Sequence, residues 1–202
     1  MLFNNAKKNY FTQVMKINDE VLEVTDEMKL LGVKITEDLK WNANTQYITS
    51  KAYKRLWLLR RLKNLGANTK ELVDCYIKQA RSILEYCAVV WHAGLSQGNN
   101  SDIERVHKSA CAIILGKKYV GYQSALHMLG LDSLDARRDI MSLKFAKKAK
   151  KSQKYASWFV KDTNELNTRT KLKTVKEAQF RTRRLDKSAL PYLTHILNRD
   201  DK

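Results

Sequence analysis

The stretch KLLGVKITEDLKW, Lys29 to Trp41, is where the periodicity of the chain changes. Leu31, Val33 and Ile35 alternate with Gly32 and Lys34, the period-2 pattern of a half-buried strand. Glu37 and Asp38 break the strand, and Trp41 anchors the start of a long basic helix. The β portion up to Ile35 is too short to fold alone and needs a surface to lean on.

Upstream, YFTQVMKI, the turn signal Asn18-Asp19-Glu20 and VLEV predict a hairpin, with MKLLGVKI as one further strand. This portion is acidic, with three lysines against five carboxylates up to residue 28. Downstream of Asn44 the period is helical. Ile48, Ala52, Leu56, Leu59 and Leu62 form a stripe that stops at Gly66, a C′ glycine. A second helix opens with a capping box of Asn68 and Glu71 and runs to His92 before Gly94. Leu72, Tyr76, Ala80, Ile83 and Cys87 share one face, and Val73, Ile77, Leu84, Ala88 and Trp91 widen it, so this helix is nearly enclosed.

LSQGNN reads as a loop, and Ser101 with Glu104 as the capping box of a third helix that ends before Gly116. YQSALHML is a short helix before Gly130. SLDARRDIMSLKFAKKAKK is the last clear one, with Leu134, Met141 and Phe145 as its stripe and lysines in its final turns. Beyond residue 152 the chain is polar and basic and reads as extended or partly disordered, with SALPYLTHIL as an apolar group that docks back. The expected fold class is therefore mainly α. A short N-terminal β-hairpin with strands (1–41) precedes a helical bundle (42–151), and a basic, partly extended C-terminal tail (152–202) follows.

The 202 residues carry 38 lysines and arginines against 21 carboxylates, a formal charge of +17. An imbalance of that size favours a polyanionic partner, nucleic acid or an anionic membrane surface. The excess is concentrated. Residues 51 to 63 hold six cations and no acid, and residues 137 to 187 hold seventeen cations against five acids. On the first helix Lys54 and Arg61, with Lys51 about 60° further round, flank the apolar stripe without interrupting it, and with Arg55 they are the cations expected to meet a phosphate backbone. Arg137, Arg138, Lys144, Lys147, Lys148, Arg181, Arg183 and Arg184 are the second-rank candidates. Tyr53 and Trp57, four residues apart, read as widening a core contact, with base stacking as the alternative.

Cys75, Cys87 and Cys111 are few and widely spaced. The first two fall twelve residues apart on one predicted helix, roughly 18 Å of rise, too far for a bridge. All three read as small buried hydrophobes in a reducing compartment. No run of about 18 apolar residues predicts a membrane span, and the N-terminus lacks the apolar core of a signal peptide, so an intracellular chain, nuclear or cytoplasmic, is expected. The four histidines are scattered, and no CxxC, glycine-rich phosphate loop or nucleophile elbow is present. No carboxylate set suits two-metal phosphoryl transfer. No metal, no cofactor and no catalysis by this chain's own residues are expected.

LEVTDEMKLLGVKITEDLKW, ITSKAYKRLWLLRRLKNLG, ILEYCAVVWHAGL, DIERVHKSACAIILG, LGLDSLDARRDIMSLKFAKK and FRTRRLDKSALPYLTHILN occur in that order. Together they make the chain resemble the C-terminal portion of non-LTR retrotransposon reverse transcriptases, the jockey-like group especially. The resemblance implies residual palm strands over 1–41, a thumb-like helical domain over 42–151 and a closing tail. Fingers and a palm with its catalytic aspartates would precede Met1. It also implies that the hairpin near Leu30, Leu31 and Gly32 lies close to a primer 3′ end, and that the thumb helices grip an RNA–DNA or RNA duplex. Strands separated from their sheet expose an unpaired edge through which the chain would associate. The alternative is a decayed or co-opted helical protein-interaction module with no nucleic-acid role.

Overall fold

The computed structural model describes residues 16–21, 25–159, 175–176 and 187–200. The chain is mainly α, with two short antiparallel strand pairs ahead of the helices. β1 (Lys16–Ile17) pairs with β2 (Glu20–Val21) through Asn18 and Asp19, both at positive φ. That two-residue turn carries the twist a hairpin needs. The remainder of the first predicted hairpin, residues 10–15 and 22–24, lies outside the described residues.

The stretch read as one strand is itself a hairpin. β3 (Glu27–Leu30) pairs antiparallel with β4 (Val33–Thr36), Leu30 opposite Val33 and Glu27 opposite Thr36. Leu31 and Gly32 form the turn, at φ 47° and 88°. Gly32 adopts that conformation without a Cβ penalty and prevails over the apolar alternation. Leu31 is thereby 83% exposed, and of the three alternating residues Val33 alone is buried.

α1 (Asn42–Asn64) buries the predicted stripe of Ile48, Ala52, Leu56 and Leu59, and Leu62 packs partly against the core. Its end is a Schellman motif: Ala67 N–H donates to the Leu62 carbonyl (3.1 Å) and Gly66 N–H to that of Lys63 (3.0 Å), with Gly66 at φ 88°. α2 (Thr69–Tyr76) opens with the expected capping box. The Glu71 amide donates to Asn68 Oδ1 (3.0 Å), and the Asn68 amide donates to Glu71 Oε2 (2.8 Å).

The long second helix is not continuous to His92. One π turn (Ile77–Arg81) leads into α3 (Ser82–Glu85), and the chain then breaks at Tyr86 before α4 (Ala88–Trp91). Cys87 stands in the left-handed region at φ 52°, so Cys75 and Cys87 occupy different helices. The freed Tyr86 carbonyl accepts from Trp91 Nε1 at 2.9 Å, so the break leaves no lost hydrogen bond there. Cys75 and Cys87 are half-buried, Cys111 is fully buried, and all three thiols are free.

α5 (Gln97–Leu115) starts five residues earlier than predicted. Ser96 Oγ accepts from the Asn99 amide at 3.1 Å, so Ser96 is the cap and Ser101 lies inside the helix. Glu104 serves other elements: it accepts from the Asp135 amide at 2.7 Å and from the Tyr122 hydroxyl. α6 (Tyr122–Leu129) ends at Gly130 as predicted. α7 (Leu134–Lys151) buries Leu134, Arg138, Ser142, Ala146 and Ala149, while Met141 is half-buried and Phe145 is on the surface. α7 packs against α4 and the final helix, α8 (Ala189–Asp200), and the small Ser142, Ala146 and Ala149 are among its buried residues.

Two apolar clusters result. The larger joins Val33, Ile48, Leu56, Leu59, Leu72, Tyr76, Trp91, Ile103 and Val106. The smaller gathers Ala146, Ala149, Phe159, Val175, Leu193, Ile196 and Leu197. Asn198 ties the smaller one with two bonds to the Val175 backbone, at 3.0 and 2.9 Å. The docking predicted for SALPYLTHIL thus takes the form of a helix.

Inside the larger cluster His107 is fully buried, stacked on Tyr76 at 5.2 Å between ring centroids. Burial, then the charges of Arg81, Arg137 and Arg138, pull its imidazole from 6.5 down to about 4. Between those values the unfolded chain binds a proton that the folded chain refuses. Stability present above pH 6.5 is therefore lost as pH falls towards 4, by about 3 kcal/mol in full. Urea unfolding followed across that range should show this loss, and His107→Gln should flatten most of it. An unchanged pH profile in the variant would contradict the assignment.

Candidate nucleic-acid interface

The apolar stripe fixes the rotation of α1, and that rotation decides where its cations point. Lys51, Lys54, Arg55, Arg60 and Arg61 are all solvent-facing, and none forms an ion pair among the described residues. No carboxylate occurs between Asp38 and Glu71. The one cation of the window that turns inward is Lys63, whose ammonium donates to the carbonyls of Ile113 and Ile114 at the end of α5. The predicted first-rank set is therefore brought onto one exposed helix surface.

Trp57 and Tyr53 do not widen the core. Trp57 is 62% exposed and Tyr53 40%. The Arg61 guanidinium stands 5.8 Å from the Trp57 ring centre, a cation–π contact on the surface. The alternation of apolar positions does not reveal this, because a pair four residues apart fits either side of a helix. The decisive signal is that Ile48, Ala52, Leu56 and Leu59 already fill the inward arc.

The hairpin joins this surface at Tyr47. Three ammonium groups surround its ring: Lys29 at 5.0 Å and Lys34 at 5.6 Å from β3 and β4, and Lys51 at 5.1 Å from α1. Glu27 pairs with Lys34. Hydrogen bonding to Lys29, then to Lys51, holds the Tyr47 phenol below its ordinary value. Lys29, Lys34 and Tyr47 were missed as site residues because they are far apart in sequence and only the hairpin assembles them.

Leu30, Leu31 and Gly32 lie at the hairpin tip, held from the helix break. The Tyr86 hydroxyl donates to the Leu31 carbonyl at 2.9 Å, and the Tyr86 ring lies over Gly32. A Cβ at Gly32 would come within 3.3 Å of that ring, so the close approach itself favours glycine. The β4 backbone is pinned in turn by Asn44, whose Oδ1 accepts from the Lys34 amide at 3.2 Å.

The second-rank set fares differently. Arg138 is fully buried and is not a surface contact. Its guanidinium donates to His92 Nδ1 (3.2 Å) and to Asn100, stands 3.5 Å from Asp135 and lies 5.9 Å from the Trp91 ring centre. Its charge is used inside the fold. Arg137 forms a fork with Glu85 and Lys147 pairs with Asp200, so both are largely neutralised. Lys144 and Lys148 are exposed on α7, which packs on α4, α5 and α8. Arg181, Arg183 and Arg184 lie outside the described residues.

Among the described residues no group of His, Cys, Asp and Glu is placed to hold a metal ion, and no helix is long and apolar enough to cross a membrane. Comparison of the chain with protein-family models, curated proteins and solved structures finds no match.

The contrast between Arg138 and Lys54 is open to measurement. Arg138→Ala should lower unfolding free energy by about 3 kcal/mol, through a cavity and stranded polar partners. Lys54→Ala should change it by less than about 0.5 kcal/mol. Equal effects in chemical denaturation would refute the division between core and surface cations.

Proposed function

We propose that this chain is the thumb-like C-terminal portion of a non-LTR retrotransposon reverse transcriptase, acting as an intracellular nucleic-acid grip and not as a catalyst. Its ligand is an RNA–DNA or RNA duplex held through phosphates with little regard to sequence. The observation that carries the reading is the acid-free row of cations along α1, which forms no ion pair among the described residues. Such a row is costly in self-repulsion unless a polyanion covers it, and phosphate contacts release counterions on binding. The ordered sequence segments that resemble this family support the assignment of the lineage. A second reading, a co-opted protein-interaction module, is favoured by one feature: the exposed apolar tip at Leu30 and Leu31.

Fluorescence anisotropy of a labelled RNA–DNA hybrid across a salt series separates the two. The grip predicts a log–log slope equivalent to roughly four or more released counterions. Lys54→Gln with Arg61→Gln should reduce that slope by about two and weaken all duplex sequences alike. A folded chain that does not bind at low salt would sink the nucleic-acid reading and leave the interaction module.

A further inference from the structure

Resting on the reading of α1 as a nucleic-acid grip, we infer that its outer face is also a stacking platform for unpaired bases, built on Trp57 and Tyr53. The two rings sit four residues apart, about 6 Å along the helix axis, and both face solvent. Lys54 and Arg61 flank Trp57 within about 60° on one side, and Arg60 lies about 60° away on the other. Among the described residues the ring partner of Trp57 is the Arg61 guanidinium, an exchangeable surface contact.

Two properties of this patch select its occupant. The exposed indole and phenol favour a flat π face, and the surrounding cations, with no carboxylate on the helix, favour an anion attached to it. A nucleotide supplies both within one residue. In a closed duplex the base faces are covered by their neighbours, so only an unpaired base can reach the indole. Along the helix axis Lys54 and Arg61 lie about 10 Å apart, one before the ring and one after it. They are placed to hold the phosphates before and after the stacked base. The arrangement is sequence-tolerant, because every base has a π face.

The test uses the full chain and two labelled probes of equal length, a single strand and a blunt RNA–DNA hybrid, by anisotropy at fixed salt. Trp57→Ala should weaken single-strand binding about tenfold and hybrid binding less than twofold, with the salt slope unchanged. Trp57→Phe should restore most of the loss. Trp57→Lys should tighten the hybrid while still weakening the single strand, a split that misfolding cannot produce. Equal loss on both probes, or no loss on either, would overturn the platform and leave the phosphate grip standing. A wild-type chain that binds neither probe would overturn the grip and the platform together.

Discussion

The parallel packing of α1 on α5 is the interaction on which the rest of the molecule depends. At one end Asn99 Nδ2 donates to Asn42 Oδ1 at 2.9 Å, and at the other Lys63 reaches the last carbonyls of α5. Between them Ile48, Leu56, Leu59, Ile103 and Val106 are all buried, each contributing roughly 1.5–3 kcal/mol of transfer free energy. Two parallel helices place their negative ends side by side, which is unfavourable without a cation there. Lys63 supplies it, with its charge against carbonyl oxygens that have no partner inside α5.

That packing determines the outer surface. Once the inward arc of α1 is filled by aliphatic side chains and Lys63 is drawn to α5, the remaining cations and both aromatic rings have only solvent to face. The exposed row is therefore a consequence of how the core is patterned. Its acid-free composition is a separate matter, since glutamates on the same face would fold equally well and give a few tenths of a kcal/mol per pair. The sequence forgoes that stabilisation over the whole of α1.

What was legible beforehand follows the reach of each signal. Local signals read correctly: the Asn68–Glu71 capping box, the glycine stops at 66, 116 and 130, and the stripe from Ile48 to Leu59 all stand in the structure. Signals that depend on a distant partner misled. Arg138 looked like a surface cation because Asn100, His92 and Trp91, which enclose it, are some forty residues earlier in the chain. Ser101 with Glu104 has the spacing of a cap, yet Ser96 takes that role and Glu104 turns to the amide of Asp135. Of the candidate interface, the cations of α1 were readable and the lysine cluster around Tyr47 was not. Only the fold brings Lys29 and Lys51 to one ring.

The hairpin shows how local strain is used to unite two surfaces. Leu31 and Cys87 both occupy the left-handed region, which costs a residue with a Cβ roughly 1–2 kcal/mol. The two meet through Tyr86, which precedes Cys87 and whose hydroxyl holds the Leu31 carbonyl. The break redirects only the chain that follows Tyr86, whose φ of −58° is still helical and whose ψ of 126° is not. Without the turn at Leu31 and Gly32 there would be no tip to hold. The strain is offset by bonds from the Tyr86 hydroxyl and the Trp91 indole. With the tip fixed in this way and β4 pinned by Asn44, Lys29 and Lys34 keep their places beside Lys51. The hairpin and the cationic face of α1 thus form one continuous surface, although no apolar core joins Leu31 to it.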